Sequence, residues 1–332
     1  MARLLFVIDP LESLKAYKDS TVAMMAAAQV RGHQVYTCEV TDLSVAFNHG
    51  AARVQVLAQE IRLAESPADA DPWWTVLEQR PFESEDFEVV LMRKDPPFDV
   101  NYLVATQLLD LVDRAGSWVV NRPAALRDHG EKLAALEFPE LTPEGLVSAQ
   151  ISQLTDFAKA HERVVFKPLD AMGGSGIFVT QAQDPNLPVI LETLTEYGQR
   201  AIMGQRWLPQ IAQGDKRILL INGQALPYAL ARIPPAGASR GNLAAGGRGE
   251  ARPLTPRDQE IAQTVGPLLA RRGLFLVGLD VIGDHLTEIN VTSPTGFQEI
   301  KAQTGFDVAE AFVQALETEL KQRRPGQPKA RP

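Results

Sequence analysis

Only one cysteine, Cys38, occurs in the 332 residues, so no disulfide can close within the chain and no cysteine-rich zinc site can be built. A reducing, cytoplasmic setting is the expectation. Five scattered histidines give little basis for a His-centred nucleophile triad. No apolar run approaches the roughly 18 residues a membrane span needs. The short run at residues 4–8 is stopped by Asp9-Pro10, too early for a signal sequence, so the glycosylation pattern Asn290-Val291-Thr292 carries no weight. Basic residues are also short in number: 33 Lys+Arg against 41 Asp+Glu give a formal net charge of −8 at pH 7. Such a surface repels phosphate backbones, which argues against a nucleic-acid or anionic-membrane partner. The phosphate-loop pattern GxxxxGK[ST], a GxGxxG after a strand and HExxH are absent as well.

What is present suffices for real cores, with 45% hydrophobic residues and 22% charged ones. At roughly 100–200 residues per domain, the length predicts two domains or three. Residues 3–8 read as a strand, and Ser20 reads as the N-cap of a helix to Val30, closed by Gly32. Residues 35–38, 88–92 and 117–120 read as further strands, with a helix over 101–115. Strand–helix alternation at this spacing predicts a parallel sheet covered by helices. Such sheets bind ligands in loops beyond their strand ends, which directs attention to residues 9–19 and 93–99.

The run Phe138-Pro139-Glu140-Leu141-Thr142-Pro143 marks a boundary, beyond which the pattern turns hairpin-like. Residues 163–167 and 177–181 flank a glycine-rich turn. Residues 217–221 and 225–231 flank Asn222-Gly223, a strong two-residue hairpin signal. Residues 274–282 and 286–290 flank Gly283-Asp284-His285. Helices are predicted over 187–197, 256–272 and 307–321, and the basic, proline-rich end of the chain reads as disordered.

Three segments could carry chemistry. In Lys167-Pro168-Leu169-Asp170-Ala171-Met172-Gly173-Gly174-Ser175-Gly176, three glycines in four residues let backbone N–H groups approach an anion, beside a lysine at a strand end. A loose hairpin turn explains the same run equally well. Residues 231–250 lack apolar periodicity, are too long for a passive connection and are locally cationic, which suits a lid over anionic ligands or a plain disordered excursion. Glu288 and Asn290, two apart in a strand, share a face. A three-residue turn at 283–285 puts Asp280 opposite Glu288, whereas a two-residue turn puts them on opposite faces. Facing carboxylates with an amide suit Mg²⁺ beside substrate phosphates, or simply a solvated polar strand face. With Lys132, Lys167, Arg217 and Arg232 as further cations, the combination suggests a nucleotide enzyme with neither a Walker-type nor a Rossmann-type phosphate cradle.

At this point the chain resembles a known family. The runs Leu91-Met92-Arg93-Lys94-Asp95-Pro96-Pro97-Phe98-Asp99, residues 167–178, residues 231–250 and VGLDVIGDHLTEINVTSPTG at 277–296 look like prokaryotic glutathione synthetase, an ATP-grasp ligase. The resemblance spans about residues 3–320. It implies an α/β fold (α+β overall): an N-terminal parallel-sheet domain at 1–122, a central ATP-grasp lid subdomain at 123–203, a C-terminal ATP-grasp domain at 204–320 and a tail at 321–332. It implies ATP-dependent ligation of γ-glutamylcysteine to glycine through an acyl phosphate, with Mg²⁺ or Mn²⁺, and a homo-oligomer (tetramer or dimer). Lys132 and Lys167 would meet the nucleotide phosphates under Gly173, Gly174, Ser175 and Gly176. Gln205, Arg206, Trp207 and Leu208 would form the hinge beside adenine, and Asp215 would reach the ribose. Asp280, Glu288 and Asn290 would hold the metal, while Arg217 and Arg232, with Lys167, would face the reacting groups. Arg93, Lys18 and Asp19 would grip the charged ends of the peptide. Arg240, Asn242, Gly246, Gly247 and Arg248 would belong to the lid. Ala171 departs from the family, where glycine is expected; a positive φ there would strain it by about 1 kcal/mol.

Rival readings are another ATP-grasp carboxylate–amine ligase, a nucleotide-binding regulator without chemistry, and a nicotinamide oxidoreductase, the last weakened by the missing GxGxxG.

Overall fold

The computed structural model describes residues 1–48, 50–235 and 246–323. The first third contains β1 (Arg3–Val7), α1 (Ser20–Val30), β2 (Gln34–Cys38), β3 (Leu43–Asn48), β4 (Ala51–Leu63), β5 (Trp74–Glu83), β6 (Val89–Met92), α2 (Val100–Ala115) and β7 (Trp118–Val120). Strands β2-β1-β6-β7 pair in parallel, as strand–helix alternation predicts. Four consecutive residues of β1, Leu4–Val7, are buried, which a strand covered on both faces requires.

The sheet is nevertheless mixed. β3, β4 and β5 join it antiparallel, a ribbon the strand–helix reading did not include. β4 carries a legible period of two, with Val54, Val56 and Ala58 inward. β5 has no such signal, because residues 75–81 are exposed on both of its faces.

α1 begins where expected, but its cap is Asp19 rather than Ser20. The Asp19 carboxylate accepts from Thr21 N (2.7 Å) and Val22 N (2.9 Å), satisfying donors that the first helical turn leaves free. Ser20 is buried, and its hydroxyl instead accepts from Phe297 N at 3.3 Å.

After α3 (Pro123–Asp128) come β8 (Gly145–Ser148), α4 (Ile151–Ala160), β9 (Val164–Pro168), β10 (Phe178–Thr180), α5 (Leu187–Leu194) and β11 (Ile202–Arg206). The four strands form an antiparallel sheet, β10-β9-β11-β8, with its own small core of Leu154, Val164, Phe166, Leu191 and Ile202. The last part holds β12 (Asp215–Ile221), β13 (Gln224–Ile233), β14 (Arg248–Pro253), α6 (Pro256–Arg271), β15 (Leu276–Ile282), β16 (His285–Asn290), α7 (Phe297–Thr304) and α8 (Val308–Arg323). Its five strands pair antiparallel as β14-β13-β12-β15-β16. The β12–β13 connection is the predicted turn: Asn222 and Gly223 both take positive φ, 48° and 78°.

These elements move the expected borders. A border after residue 203 cuts β11, which pairs with β9 along its length. The segment before β8 packs on the five-stranded sheet, where Ile289 N donates to Glu131 O and Leu286 N to Leu141 O, both at 2.8 Å. The small antiparallel unit therefore spans residues 145–206. Residues 321–323 extend α8 rather than begin a tail, and the remainder of the tail lies outside the described residues. One apolar cluster joins the first sheet to the third, from Val7 and Tyr36 to Ile218 and Leu279. Asn121, buried after β7, fixes that junction by donating to Leu276 O and Val291 O and accepting from Phe275 N and Leu276 N. All of its amide valences are met, so the contact orders the interface without leaving a buried polar group unpaired.

Candidate active site

A cleft opens between the four-stranded and five-stranded sheets. Strand periodicity puts chemistry on its walls. On β9, Val164 and Phe166 enter the small core while Val165 and Lys167 face the cleft. On β12, Asp215 and Arg217 face it, and on β16, Glu288 and Asn290 do. Lys132, Gly173, Gly174, Ser175, Gln205, Arg206, Trp207, Leu208 and Asp280 line the same cleft, whereas Gly176 and Arg232 of the expected set do not. The guanidinium of Arg163 lies 4.7 Å over the Trp207 ring and steadies that end of the cleft.

Asp280 does face Glu288, for a reason other than the one expected. The turn is a two-residue one, with Ile282 paired to His285 across Gly283-Asp284. That register alone would oppose Asp280 to Thr287. A bulge on β16 inserts one residue and restores the Asp280–Glu288 pairing, with the Thr287 hydroxyl donating to Asp280 O at 3.1 Å.

Each facing carboxylate carries its own pair of cations. Arg217 donates to both oxygens of Asp280 at 2.8 Å, and Arg232 reaches Oδ2 at 2.8 Å. Burial pushes Asp280 up, but the two guanidinium groups outweigh it and hold the carboxyl well below the usual range. Lys167 Nζ lies 3.3 Å and Lys132 Nζ 3.7 Å from Glu288 Oε1; against the same burial they hold Glu288 below its ordinary value. Lys132 also donates to Ala171 O at 2.8 Å, tying the glycine-rich loop to the cation pair. Asp215 accepts from Arg232 at 2.5 Å through Oδ2, while its Oδ1 is buried without a partner among the described residues. Burial, with the nearby Asp280 and Glu288 charges, pushes Asp215 up to about 7.

Asp280, Glu288 and Asn290 form an oxygen-only donor set, in which Asn290 Nδ2 donates to Gly278 O (3.3 Å) and leaves the amide oxygen as the acceptor. A carboxylate has about four acceptor positions, so Asp280 keeps capacity beyond its arginines. Among the described residues no group of three or more His, Cys, Asp or Glu is assembled. The set therefore suits a hard cation that takes one or two carboxylates and completes its shell with phosphate oxygens.

A second cavity adjoins the first and contains Lys18, Asp19 and Arg232. It sits outside the carboxyl ends of β1 and β6, the neighbours from which the chain winds in opposite directions; this switch point is where open α/β sheets place ligands. Lys94 bonds Asp9 (2.6 Å), Asp95 N donates to Asp9 (2.9 Å) and Ser293 donates to Asp95, so three loops are tied into one wall.

Some expected residues stand elsewhere. Arg93 is buried beneath the cavity, donating to Thr21 Oγ1 (3.0 Å) and Pro294 O (3.2 Å), with Nη1 unpartnered among the described residues. Asp19 spends its carboxylate on the α1 cap, and burial pushes its pKa up. Gly176 packs behind the loop, where an added Cβ would lie 2.9 Å from the Pro168 ring. Ala171 does not have positive φ; Gly173, Gly174 and Gly176 do, so the anticipated strain is absent. Arg248 opens β14 and is exposed, beside Glu250, following Gly246 and Gly247. Arg240 and Asn242 lie outside the described residues. Sequence reasoning missed Glu131 and Glu299, which no local motif distinguishes from surface acids, and reached Asp9 and Asp95 only as members of the loops at 9–19 and 93–99.

Comparison with known proteins agrees with this architecture. The family described as "Prokaryotic glutathione synthetase, N-terminal domain" matches residues 2–127, and "Prokaryotic glutathione synthetase, ATP-grasp domain" matches residues 131–305. A glutathione synthetase of Nitrosomonas europaea is 53% identical over 320 residues, covering 96% of this chain and 98% of the relative. One from Bordetella pertussis is 52% identical over 318 residues, covering 95% and 98%. Among solved structures, D-cycloserine synthetase DcsG superposes with a TM-score of 0.65 at 15% identity, covering 96% of this chain and 99% of that one. The ATP-grasp ligase PsnB, complexed with minimal precursor, Mg and ADP, gives 0.60 at 16%, covering 96% and 98%. At such identities the two structures speak to fold alone.

Proposed function

The chain belongs to the prokaryotic glutathione synthetase family, and from that premise we propose how its residues divide the work of an ATP-dependent carboxylate–amine ligase. The reaction joins γ-glutamylcysteine to glycine, giving glutathione, ADP and phosphate. A carboxylate is a poor acyl donor because its oxygen leaves badly. Accepting the γ-phosphoryl group of ATP makes it an acyl phosphate, and the glycine amine then displaces phosphate.

Lys132 and Lys167, under Gly173–Ser175, take the nucleotide phosphates. Gln205 to Leu208 border the base, and Asp215, with an oxygen unpartnered among the described residues, takes a ribose hydroxyl. Arg217 and Arg232 neutralise the oxyanion that forms at the reacting carbonyl. Asp280, Glu288 and Asn290 would hold Mg²⁺, which would supply charge neutralisation at the phosphates; Mn²⁺ would fit the same oxygens. The peptide takes the switch-point cavity, where Lys18 makes no ion pair among the described residues and is free for a substrate carboxylate. Arg93 and Asp19 act as supports of that cavity. Assembly into a dimer or tetramer and a cytoplasmic location are proposed with the family; no helix among the described residues is long and apolar enough to cross a membrane.

The observation that carries this reading is the facing Asp280–Glu288 pair, lysines on one carboxylate and arginines on the other, between the glycine-rich loop and the switch-point cavity. Phosphate release should require ATP, Mg²⁺, γ-glutamylcysteine and glycine together. Equal turnover with a pair of D-alanines, or none with γ-glutamylcysteine, would overturn it in favour of another carboxylate–amine ligase of the same fold. Glu288→Ala should abolish turnover while the protein stays folded by circular dichroism; retained activity would refute the metal assignment.

A further inference from the structure

Five residues line both cavities: Glu131, Met172, Gly173, Arg217 and Asn290. Glu131 is the one acid among them, at the passage where nucleotide phosphate and peptide carboxylate must meet. Its surroundings set it apart from the other acids of the nucleotide cleft. Asp215, Asp280 and Glu288 are each held by an arginine or by lysines, whereas Glu131 makes no ion pair within 4 Å among the described residues. Its position is fixed all the same: Oε1 accepts from Thr292 Oγ1 at 3.0 Å, and its carbonyl accepts from Ile289 N at 2.8 Å. A carboxylate held in place at the junction of two cavities, with no cation of its own among the described residues, is a site for a cationic group of a substrate.

ATP and the reacting carboxylate are both anions, and Lys132, Lys167, Arg217 and Arg232 serve them. The remaining substrate, the amine, arrives as an ammonium ion and must lose a proton before it can attack. We propose that Glu131 is the catalytic residue that docks the glycine ammonium and accepts its proton. The inference rests on the ligase reading above. One N–H proton passes to the Glu131 carboxylate, freeing the nitrogen lone pair. That pair forms the C–N bond at the acyl phosphate carbonyl while the C=O π pair moves onto oxygen. Collapse of this oxyanion breaks the C–O bond to phosphate, which departs with the bonding pair and takes up the second N–H proton. Glu131 then returns its proton to water. Burial, and next the charge of Glu288, raise the proton affinity of Glu131, while Thr292, Arg217 and Lys132 oppose the rise.

Hydroxylamine provides the test, because it is largely unprotonated at neutral pH and traps acyl phosphates as hydroxamates without needing a base. In Glu131→Gln, glycine-dependent kcat/KM should fall about 100-fold or more, the range of a lost general base. γ-Glutamylcysteine hydroxamate formation with ATP, Mg²⁺ and hydroxylamine should stay within about fivefold of the native rate. Glu131→Asp, which keeps the charge, should recover part of the glycine rate. Parallel loss of both reactions would make Glu131 a structural or metal-holding group, and unchanged glycine kinetics would make it a bystander; either overturns the proposal. An aspartate variant no better than glutamine also overturns it. Failure of the ligase reading itself is distinguishable, since the native protein would then form no such hydroxamate.

Discussion

Replacing Asp280 by asparagine isolates the charge that organises the cleft. Arg217, 8% exposed, has no other carboxylate within 4 Å among the described residues, while Arg232 keeps Asp215. At 2.8 Å and an effective dielectric constant of about 20, each Asp280–arginine contact is worth about 6 kcal/mol before desolvation. The burial cost of Asp280 itself cancels much of that sum. Removing one partner from a buried pair typically costs about 3–5 kcal/mol, because the other charge stays buried and unpaired. For a chain of this size, Asp280→Asn should therefore lower Tm by about 4–7 °C, measured by thermal unfolding without Mg²⁺ or nucleotide so that bound ligand does not contribute. The double variant Arg217→Met/Asp280→Leu removes both charges and should recover at least half of the loss while remaining inactive. A single-variant loss below about 1 kcal/mol, or a double variant less stable than the single one, would refute the ion-pair account.

Glu317 supplies a pH test away from the cleft. A hydrogen bond from Arg31 is the main cause that pulls its pKa down to about 2, with His33 adding to it. A depressed carboxyl stabilises the fold above its unfolded value near 4.5, and that stability is lost as pH falls from there toward 2. Glu317→Gln should thus lower stability at pH 7 by about 1 kcal/mol, a value reduced for its solvent access, with the difference from native vanishing by about pH 2 in a Tm series. Gly266 gives a sign reversal. Inside α6, glycine to alanine ordinarily gains about 0.5–1 kcal/mol, but a Cβ at Gly266 would lie 2.2 Å from Gly223 O. Gly266→Ala should instead destabilise by about 1–3 kcal/mol in urea unfolding, and a gain would mean that α6 does not press on the β12–β13 turn.

By itself the sequence determined what short-range chemistry can specify. Asn222-Gly223 dictated a hairpin because both positions need positive φ. Two-residue spacing put Glu288 and Asn290 on one face, and the glycines after Lys167 marked a loop able to approach phosphate. Long, unusual runs such as those at 91–99 and 277–296 identified the family. Tertiary structure decided the rest. The turn at Gly283-Asp284 would have separated Asp280 from Glu288, and only the bulge at Thr287 makes them face; a bulge has no period that a sequence window can register. Asp19 reads as a binding residue until the start of α1 claims its carboxylate. The exposed strand β5 has no inward face to alternate. Glu131 has no motif at all: its meaning comes from two cavities that meet across segments more than 150 residues apart, from Glu131 to Thr292, and from cations that pair with every other acid of the nucleotide cleft but make no ion pair with it among the described residues.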